Sequence, residues 1–129
     1  MSEGDGTPQK VLLVEDFEDA RYVSRLALEE RGYRVLEAAN GEEALEVAAR
    51  ERPAIILMDL SLPILDGLQA TERIRADATL RDTLIVAVTA HSDAQHRARA
   101  LAAGCNAFLT KPIDFDWLDD LLNQLLPAD

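Results

Sequence analysis

Residues 54–59 read AIILMD, a short apolar run that ends abruptly in one carboxylate. The run is rich in Ile and Leu and shows no polar alternation. Such a pattern is typical of a strand buried on both faces, as in a parallel sheet covered by helices. Asp59 then stands at the carboxyl end of that strand, which is where open α/β sheets bind their ligands.

Outward from this run, strands and helices alternate along the whole chain. Further strands are predicted at residues 10–14, 34–38, 84–89 and 107–110. Helices are predicted at about 19–31, at 42–50, from Asp66-Gly67 onward, from Ser92 or Asp93 to about 103, and from Asp114 to about 126. Gly32, Gly104 and Pro127 are the expected helix stops. Because the connections are short, we expect right-handed crossovers and a parallel sheet with helices on both faces.

The composition is that of one ordinary globular domain. The chain has 129 residues, of which 48% are hydrophobic and 29% charged. We expect residues 1–9 to form a flexible leader and residues 10–127 to form the domain. No secretion signal and no apolar run of roughly 20 residues is present, so neither export nor a membrane span is predicted.

Charge and cysteine content limit the possible functions. The net charge of −11 argues against nucleic-acid binding through a basic surface and suits a metal pocket or a basic protein partner. The one cysteine, Cys105, cannot form an internal disulfide, which fits a reducing compartment such as the cytoplasm. No residue that could activate it stands nearby, so Cys105 is expected to be inert.

Four predicted strands end in polar residues: Glu15-Asp16, Asp59, Thr89 and Lys111. The carboxyl ends of parallel strands meet at one sheet edge, so these groups should converge. Crowded carboxylates recruit a cation, and oxygen ligands without His or Cys favour Mg²⁺ or Ca²⁺. A metal, a lysine and a hydroxyl around one aspartate indicate phosphoryl transfer with a carboxylate nucleophile.

With these motifs the sequence resembles the receiver domains of two-component response regulators, over about residues 10–126. The matching features are VED at 14–16, LMDL at 57–60 with Pro63 and Asp66-Gly67, VTA at 88–90, and Lys111-Pro112. The resemblance implies a flavodoxin-like (βα)5 fold. This fold is a doubly wound, parallel five-stranded sheet of order 2-1-3-4-5, which places the first and third strands side by side.

The resemblance also implies roles for the site residues. Asp59 would accept a phosphoryl group from a phosphohistidine on a sensor histidine kinase or a histidine phosphotransfer protein. Asp16 and Asp59 would bind Mg²⁺ directly, with the backbone carbonyl of Ser61 as a third ligand and Glu15 acting through a metal-bound water. Lys111 would contact a phosphoryl oxygen.

The resemblance implies moving parts as well. Thr89 would shift toward the phosphoryl group, and Phe108 would turn inward with it, although Phe108 also suits a fixed core position. Lys111-Pro112 matches the family's cis peptide. Ser61 and His91 hold positions that, in this family, flank the phosphoryl group and tune its hydrolysis. His91 is interpreted as a solvated neighbour of that group and not as a catalytic base.

The last predicted helix has an unusually broad apolar arc. Its core stripe consists of Phe115, Leu118, Leu122 and Leu125, and Trp117 and Leu121 lie beside that stripe. The arc indicates either a Trp ring along the helix edge or a surface for a protein partner or a homodimer. The helix that starts near Ser92 would share such a surface.

These observations favour a stand-alone receiver that switches a surface for a downstream protein target. A phosphorelay intermediate, which passes its phosphoryl group on, is the main alternative. An aspartyl phosphatase for small molecules is less favoured, because Phe17-Glu18 follows Asp16 where that class has a second aspartate two residues on. A flavin carrier would need a phosphate-binding loop where this chain has acidic residues.

Overall fold

The computed structural model describes residues 9–62, 65–91 and 93–125. Within these ranges its strands are β1 (Lys10–Val14), β2 (Arg34–Ala38), β3 (Ile55–Asp59), β4 (Leu84–Thr89) and β5 (Ala107–Thr110). The helices are α1 (Glu18–Glu30), α2 (Gly41–Glu51), α3 (Gly67–Ala76), α4 (Ala94–Ala103) and α5 (Phe115–Leu125), with a 3-10 turn at Ala78–Leu80. Pro63, Ser92, Pro127 and most of the expected leader lie outside the described residues.

All strand pairs are parallel, and the strand order is β2-β1-β3-β4-β5. This confirms the predicted flavodoxin-like order. In the register, Asp59 stands opposite Val88, and Thr89 stands opposite Thr110. The carboxyl ends of the central strands are therefore level, and the residues that follow them meet at one edge.

The sheet separates two hydrophobic layers, because neighbouring residues of a strand point to opposite faces. One layer joins Leu12, Val14, Ile56, Met58, Ile85 and Ala87 to small and branched residues of α2, α3 and α4. The other joins Val11, Leu13, Ile55, Leu57, Val86 and Val88 to Leu28 of α1 and to Leu118 and Leu122 of α5. The three central strands are thus buried on both faces, as the unbroken apolar runs predicted.

Side-chain caps set several helix starts. Asp66 accepts a hydrogen bond from Gln69 N, and Asp93 accepts one from His96 N. Asp114 accepts bonds from the amides of Asp116 and Trp117. The predicted caps Asp93 and Asp114 are therefore confirmed. Gly104 ends α4 with a φ of 118°, in the left-handed region that favours glycine.

Helix α1 forms where it was predicted, one residue earlier at each end, but its apolar residues face outward. Val23 is 60% exposed and Leu26 is 40% exposed, whereas Leu28 is buried. Leu28 packs into the core layer that α1 shares with α5, and Ala20, Ser24 and Ala27 are partly buried. The spacing that predicted the helix therefore belongs to a solvent-facing apolar surface.

Gly67 brings the start of α3 against the end of β3. A Cβ atom at this position would collide with the backbone carbonyl of Asp59. The Gly67 amide instead donates to the Leu60 carbonyl at 3.4 Å. This close approach fixes the backbone that carries Asp59.

Each helix in the described ranges is too short to cross a bilayer.

Candidate functional site

Asp59 is the innermost acidic group at the carboxyl edge of the sheet. It is 3% exposed, yet both carboxylate oxygens have partners. Oδ1 accepts a hydrogen bond from Ser61 N at 2.9 Å, and Oδ2 accepts one from Lys111 Nζ at 2.9 Å. Burial of a carboxylate is costly without such partners, so the surrounding groups hold Asp59 in one orientation.

Glu15 and Asp16, which follow β1, complete an acidic cluster around Asp59. Glu15 is buried and Asp16 is exposed. One carboxylate oxygen from each of the three residues lies within 4.8 Å of the others. Glu15 Oε2 accepts a hydrogen bond from Phe17 N at 3.1 Å, and Arg21 Nη1 donates to the Glu15 carbonyl at 2.8 Å.

Lys111 neutralises part of this cluster. Its ammonium group donates to Asp59 Oδ2 and, at 3.1 Å, to Glu15 Oε1. Partial burial lowers the pKa of Lys111, but the hydrogen bonds to Asp59 and Glu15 outweigh it and raise that pKa above its ordinary value. The lysine therefore stays charged throughout the neutral range and acts as a fixed positive group.

The donor set fits a hard divalent cation. Three carboxylates and one ammonium leave a formal charge of −3 + 1 = −2 in the cluster. Carboxylate oxygens are the ligands that Mg²⁺ takes from proteins, usually one or two at a time with waters in the remaining positions. The exposed Asp16 leaves the cluster open to solvent on one side, which suits an ion that keeps part of its hydration shell.

Thr89 borders the cluster from β4. It is 1% exposed, and its hydroxyl oxygen accepts a hydrogen bond from His91 N at 3.1 Å. The Thr89 carbonyl accepts a bond from Lys111 N at 2.7 Å, and the Lys111-Pro112 peptide is cis. The backbone thus ties Thr89 and Lys111 together, and the structure brings together the four strand-end groups that the sequence singled out.

Phe108 is buried in the core, and the side chain of Arg97 lies over its ring. Its ring is 7% exposed, and the guanidinium carbon of Arg97 lies 5.4 Å from the ring centroid. Trp117 is 52% exposed, whereas Leu121 packs partly against the core. Trp117 therefore provides most of the exposed part of the predicted surface of α5, and Leu121 is partly buried beside it.

Sequence reasoning missed an apolar groove beside the cluster. Glu15 and Lys111 border it, and its other lining residues are Phe17, Asp19, Ala20, Val23, Ser24, Pro112, Ile113 and Phe115. The groove has a volume of about 710 Å³. The only sequence signal for it was the apolar content of α1, which is equally compatible with core packing.

Comparisons with known proteins agree with this geometry. The sequence model of the response regulator receiver domain family matches residues 11–123 of this chain. The chain therefore belongs to the response regulator receiver domain family, as the resemblance predicted. This is a family of signalling switches in two-component systems, and receiver domains interact with histidine kinases and downstream targets.

Individual relatives cover most of the chain. The polar-differentiation response regulator DivK of Brucella anthropi is 39% identical over 106 residues, which are 82% of this chain and 86% of DivK. Protein PilH of Pseudomonas aeruginosa is 32% identical over 117 residues, which are 91% of this chain and 97% of PilH.

A solved structure bears on the metal. It is the receiver domain of a sensor histidine kinase from Pseudomonas aeruginosa, with a magnesium ion coordinated in its active site cleft. It is 40% identical, has a TM-score of 0.85, and the match covers 92% of this chain and 97% of that one. Together with the acidic cluster, this likeness supports Mg²⁺ binding as a property of receiver domains.

Proposed function

We propose that this chain is a stand-alone response regulator in which Asp59 accepts a phosphoryl group from a phosphohistidine. The observation that carries the proposal is the contact of Lys111 Nζ with both Asp59 and Glu15, beside the exposed carboxylate of Asp16. This arrangement places a nucleophilic carboxylate, a fixed positive charge and a cation site at one point.

The chain's own groups divide the work of the transfer. An Asp59 oxygen attacks phosphorus, a P–O bond forms, and the P–N bond to the donor's imidazole breaks as that imidazole leaves. Lys111 offsets charge on a phosphoryl oxygen, and the Thr89 hydroxyl donates a hydrogen bond to another. Asp16, Asp59 and the Ser61 carbonyl would hold Mg²⁺, with Glu15 acting through a water. When bound, the ion supplies positive charge to the phosphoryl oxygens.

The donor is a protein with a helical surface around its phosphohistidine, from a sensor histidine kinase or a histidine phosphotransfer protein. The apolar groove supports this partner because it opens directly onto Glu15 and Lys111. Phe17 at its rim is 62% exposed, and Val23 is 60% exposed. An amphipathic helix seated in such a groove would bring its histidine to the acidic cluster. Transfer from a kinase also implies the cytoplasm as the site of action.

Mass spectrometry of the intact protein tests the assignment of Asp59. With Mg²⁺ and acetyl phosphate, the wild-type chain is expected to gain one phosphoryl group, and Asp59→Asn none. Asp82→Asn, at an exposed aspartate before β4, is the matched control and should be modified like the wild type. An adduct on both the wild type and Asp59→Asn would contradict the assignment.

The output is proposed to be a change in protein binding rather than turnover of a substrate. A phosphorelay intermediate is the alternative, and transfer from phosphorylated Asp59 onward to a histidine phosphotransfer protein would favour it. Turnover of small phosphomonoesters would instead indicate a phosphatase.

The surface predicted for a downstream target or a homodimer consists of Trp117 and Leu121. Their proposed contribution rests on the exposed indole of Trp117. We expect Trp117→Ala to weaken either self-association or target binding, measured by sedimentation and by titration of the phosphorylated chain. If both measurements are unchanged, the predicted surface is wrong.

A further inference from the structure

The connection between β4 and α4 carries a group of side chains that the proposed transfer does not use. Asp93 caps α4, and its two carboxylate oxygens lie 2.8 Å and 2.7 Å from His96 Nδ1. The hydrogen bonds from the His96 side chain and backbone lower the pKa of Asp93 below its ordinary value. The carboxylate therefore stays ionised and keeps the His96 ring in place at neutral pH.

A second histidine stacks on the first. The ring centroids of His91 and His96 lie 4.5 Å apart, with an angle of 15° between the ring planes. His91 stands outside the helix and His96 lies in its first turn, so the stack joins the connection to α4. Asp93, His96 and His91 thus form a continuous chain of contacts, which we name the histidine brace.

The brace is linked to the phosphoryl site at two points. The amide of His91 donates to the hydroxyl oxygen of Thr89, so the brace and the Thr89 hydroxyl are one hydrogen bond apart. Both histidines also line a cavity of about 220 Å³ with Leu60 and Ser61, the two residues that follow Asp59. A rearrangement of the connection would therefore change the surroundings of both Thr89 and Asp59.

We propose that the histidine brace holds the β4–α4 connection in its resting arrangement and so opposes phosphorylation. This inference rests on the proposed function. In the structure the Thr89 hydroxyl oxygen accepts a hydrogen bond from His91 N. We take this as the resting arrangement, because in the proposed function Thr89 shifts toward a phosphoryl group on Asp59, and that shift would carry the His91 connection with it. A contact that exists only in the resting arrangement stabilises that arrangement. Phosphorylation, or the binding of a phosphoryl mimic, then becomes less favourable by the free energy of that contact.

The binding of beryllofluoride, a phosphoryl mimic, in the presence of Mg²⁺ tests the brace. His96→Ala removes both the stack and the contact with Asp93, and we expect it to bind the mimic at least about threefold more tightly, the scale of a modest aromatic pair. His96→Phe retains a ring for stacking and should return most of the way to wild-type affinity. Gln95→Ala, at an exposed neighbour in the same turn, is the control and should leave affinity unchanged.

The sign of the change separates a brace from a purely structural contact. Loss of ordinary packing would loosen the site and weaken binding, whereas loss of the brace strengthens it. The His91 amide resonance should shift in His96→Ala and stay near its wild-type position in His96→Phe. His96→Gln, which keeps a polar side chain near Asp93, provides a second variant if His96→Ala does not fold.

Two negative results are distinguishable. If the wild-type chain neither binds the mimic nor gains a phosphoryl group from acetyl phosphate, the proposed function fails. If the wild type does both, and folded His96→Ala or His96→Gln binds the mimic equally or more weakly, the brace is overturned.

Discussion

At the scale of single residues, Lys111 determines how the acidic cluster is held together. Asp59 and Glu15 are both buried, and each has its carboxylate bonded to the same ammonium group. Without a counter-charge, two carboxylates at this distance would repel one another and favour protonation. Lys111 therefore stabilises the folded chain, and it also competes electrostatically with any cation that enters the cluster.

This competition predicts opposite effects of Lys111→Gln on metal binding and on phosphorylation. We expect Mg²⁺ to bind roughly tenfold more tightly, because the nearest positive charge has gone. Phosphorylation by acetyl phosphate at saturating Mg²⁺ should fall at least roughly tenfold, because no fixed cation remains for the phosphoryl oxygen. Titration of Mg²⁺ and intact mass spectrometry measure the two effects.

The chain offers a close control for this variant. Its other lysine, Lys10, is similarly half-buried and pairs with Glu51 at 3.3 Å at the opposite end of β1. Lys10→Gln should change neither Mg²⁺ affinity nor phosphorylation. Weaker Mg²⁺ binding in Lys111→Gln would show that Lys111 organises the metal ligands instead of competing with the ion.

At the scale of the elements, the strands were predictable and the helix surfaces were not. A strand buried on both faces must be apolar throughout, so an unbroken apolar run predicts such a strand directly. The polar residue that follows the run must then lie at the carboxyl edge of the sheet. The convergence of Glu15, Asp59, Thr89 and Lys111 followed from that rule. The apolar residues of a helix, by contrast, can face either the core or the solvent. In α1, Leu28 lies in the core, whereas Val23 and Leu26 are exposed.

Arg75 shows why some contacts could not be predicted. It lies in the last turn of α3 and is half-buried. Its guanidinium donates to the carbonyls of Gly104 at 2.9 Å and Thr83 at 2.7 Å and to Asn106 Oδ1 at 2.7 Å. These acceptors belong to the connections around β4 and β5, which meet Arg75 only in the folded chain.

Arg75→Lys tests this contact between connections. A lysine is charged but lacks the planar fork, so it can satisfy only part of the acceptor set. We expect a loss of about 2 kcal/mol in the free energy of unfolding, measured with urea, since bonds to charged donors are involved. Arg73→Lys, at an exposed position in the same helix, should change stability by less than about 0.5 kcal/mol. Equal effects of the two variants would contradict the assigned contacts.

The outward apolar residues of α1 carry a prediction about partners. Val23→Ser should leave stability nearly unchanged, because the side chain is already exposed. It should slow phosphoryl transfer from a phosphorylated histidine phosphotransfer protein that serves the wild type, but not phosphorylation by acetyl phosphate. Leu101→Ser, at a 48% exposed leucine of α4, is the control and should leave both rates unchanged. Equal slowing with both donors would place the effect at the site itself and not at a docking surface.

At the scale of the whole molecule, α1 and α5 cover one face of the sheet and meet in a polar seam. Arg31 Nη2 lies 2.8 Å from Asp116 Oδ1, and its guanidinium carbon lies 5.9 Å from the ring centroid of Phe115. Tyr33, which follows α1, donates its hydroxyl to Asp119 at 2.9 Å. The apolar groove is lined by residues of α1 on one side and by residues from Lys111 to Phe115 on the other. Because Arg31 contacts Phe115, the seam fixes the position of that second wall.

The seam predicts how the molecule responds to alkaline pH. Burial, with the hydrogen bond to Asp119 and the negative charge of that residue, raises the pKa of Tyr33 from 10.0 to about 12. The neutral phenol is thus favoured in the folded chain. Its stabilising contribution is complete below pH 10 and is lost as the pH rises from 10 toward 12. Deprotonation would place a phenolate beside the Asp119 carboxylate and open the seam.

Tyr33→Phe removes both the hydrogen bond and the titration. Below pH 9 we expect this variant to be less stable than the wild type by about 1 kcal/mol, the net value of one hydrogen bond. Between pH 10 and 12 its melting temperature should fall less steeply, so the two curves should converge. Tyr22→Phe, at the chain's other, exposed tyrosine, should follow the wild type throughout. If Tyr33→Phe and the wild type stay parallel up to pH 12, then Tyr33 does not couple α5 to the rest of the fold, and another contact must fix the groove.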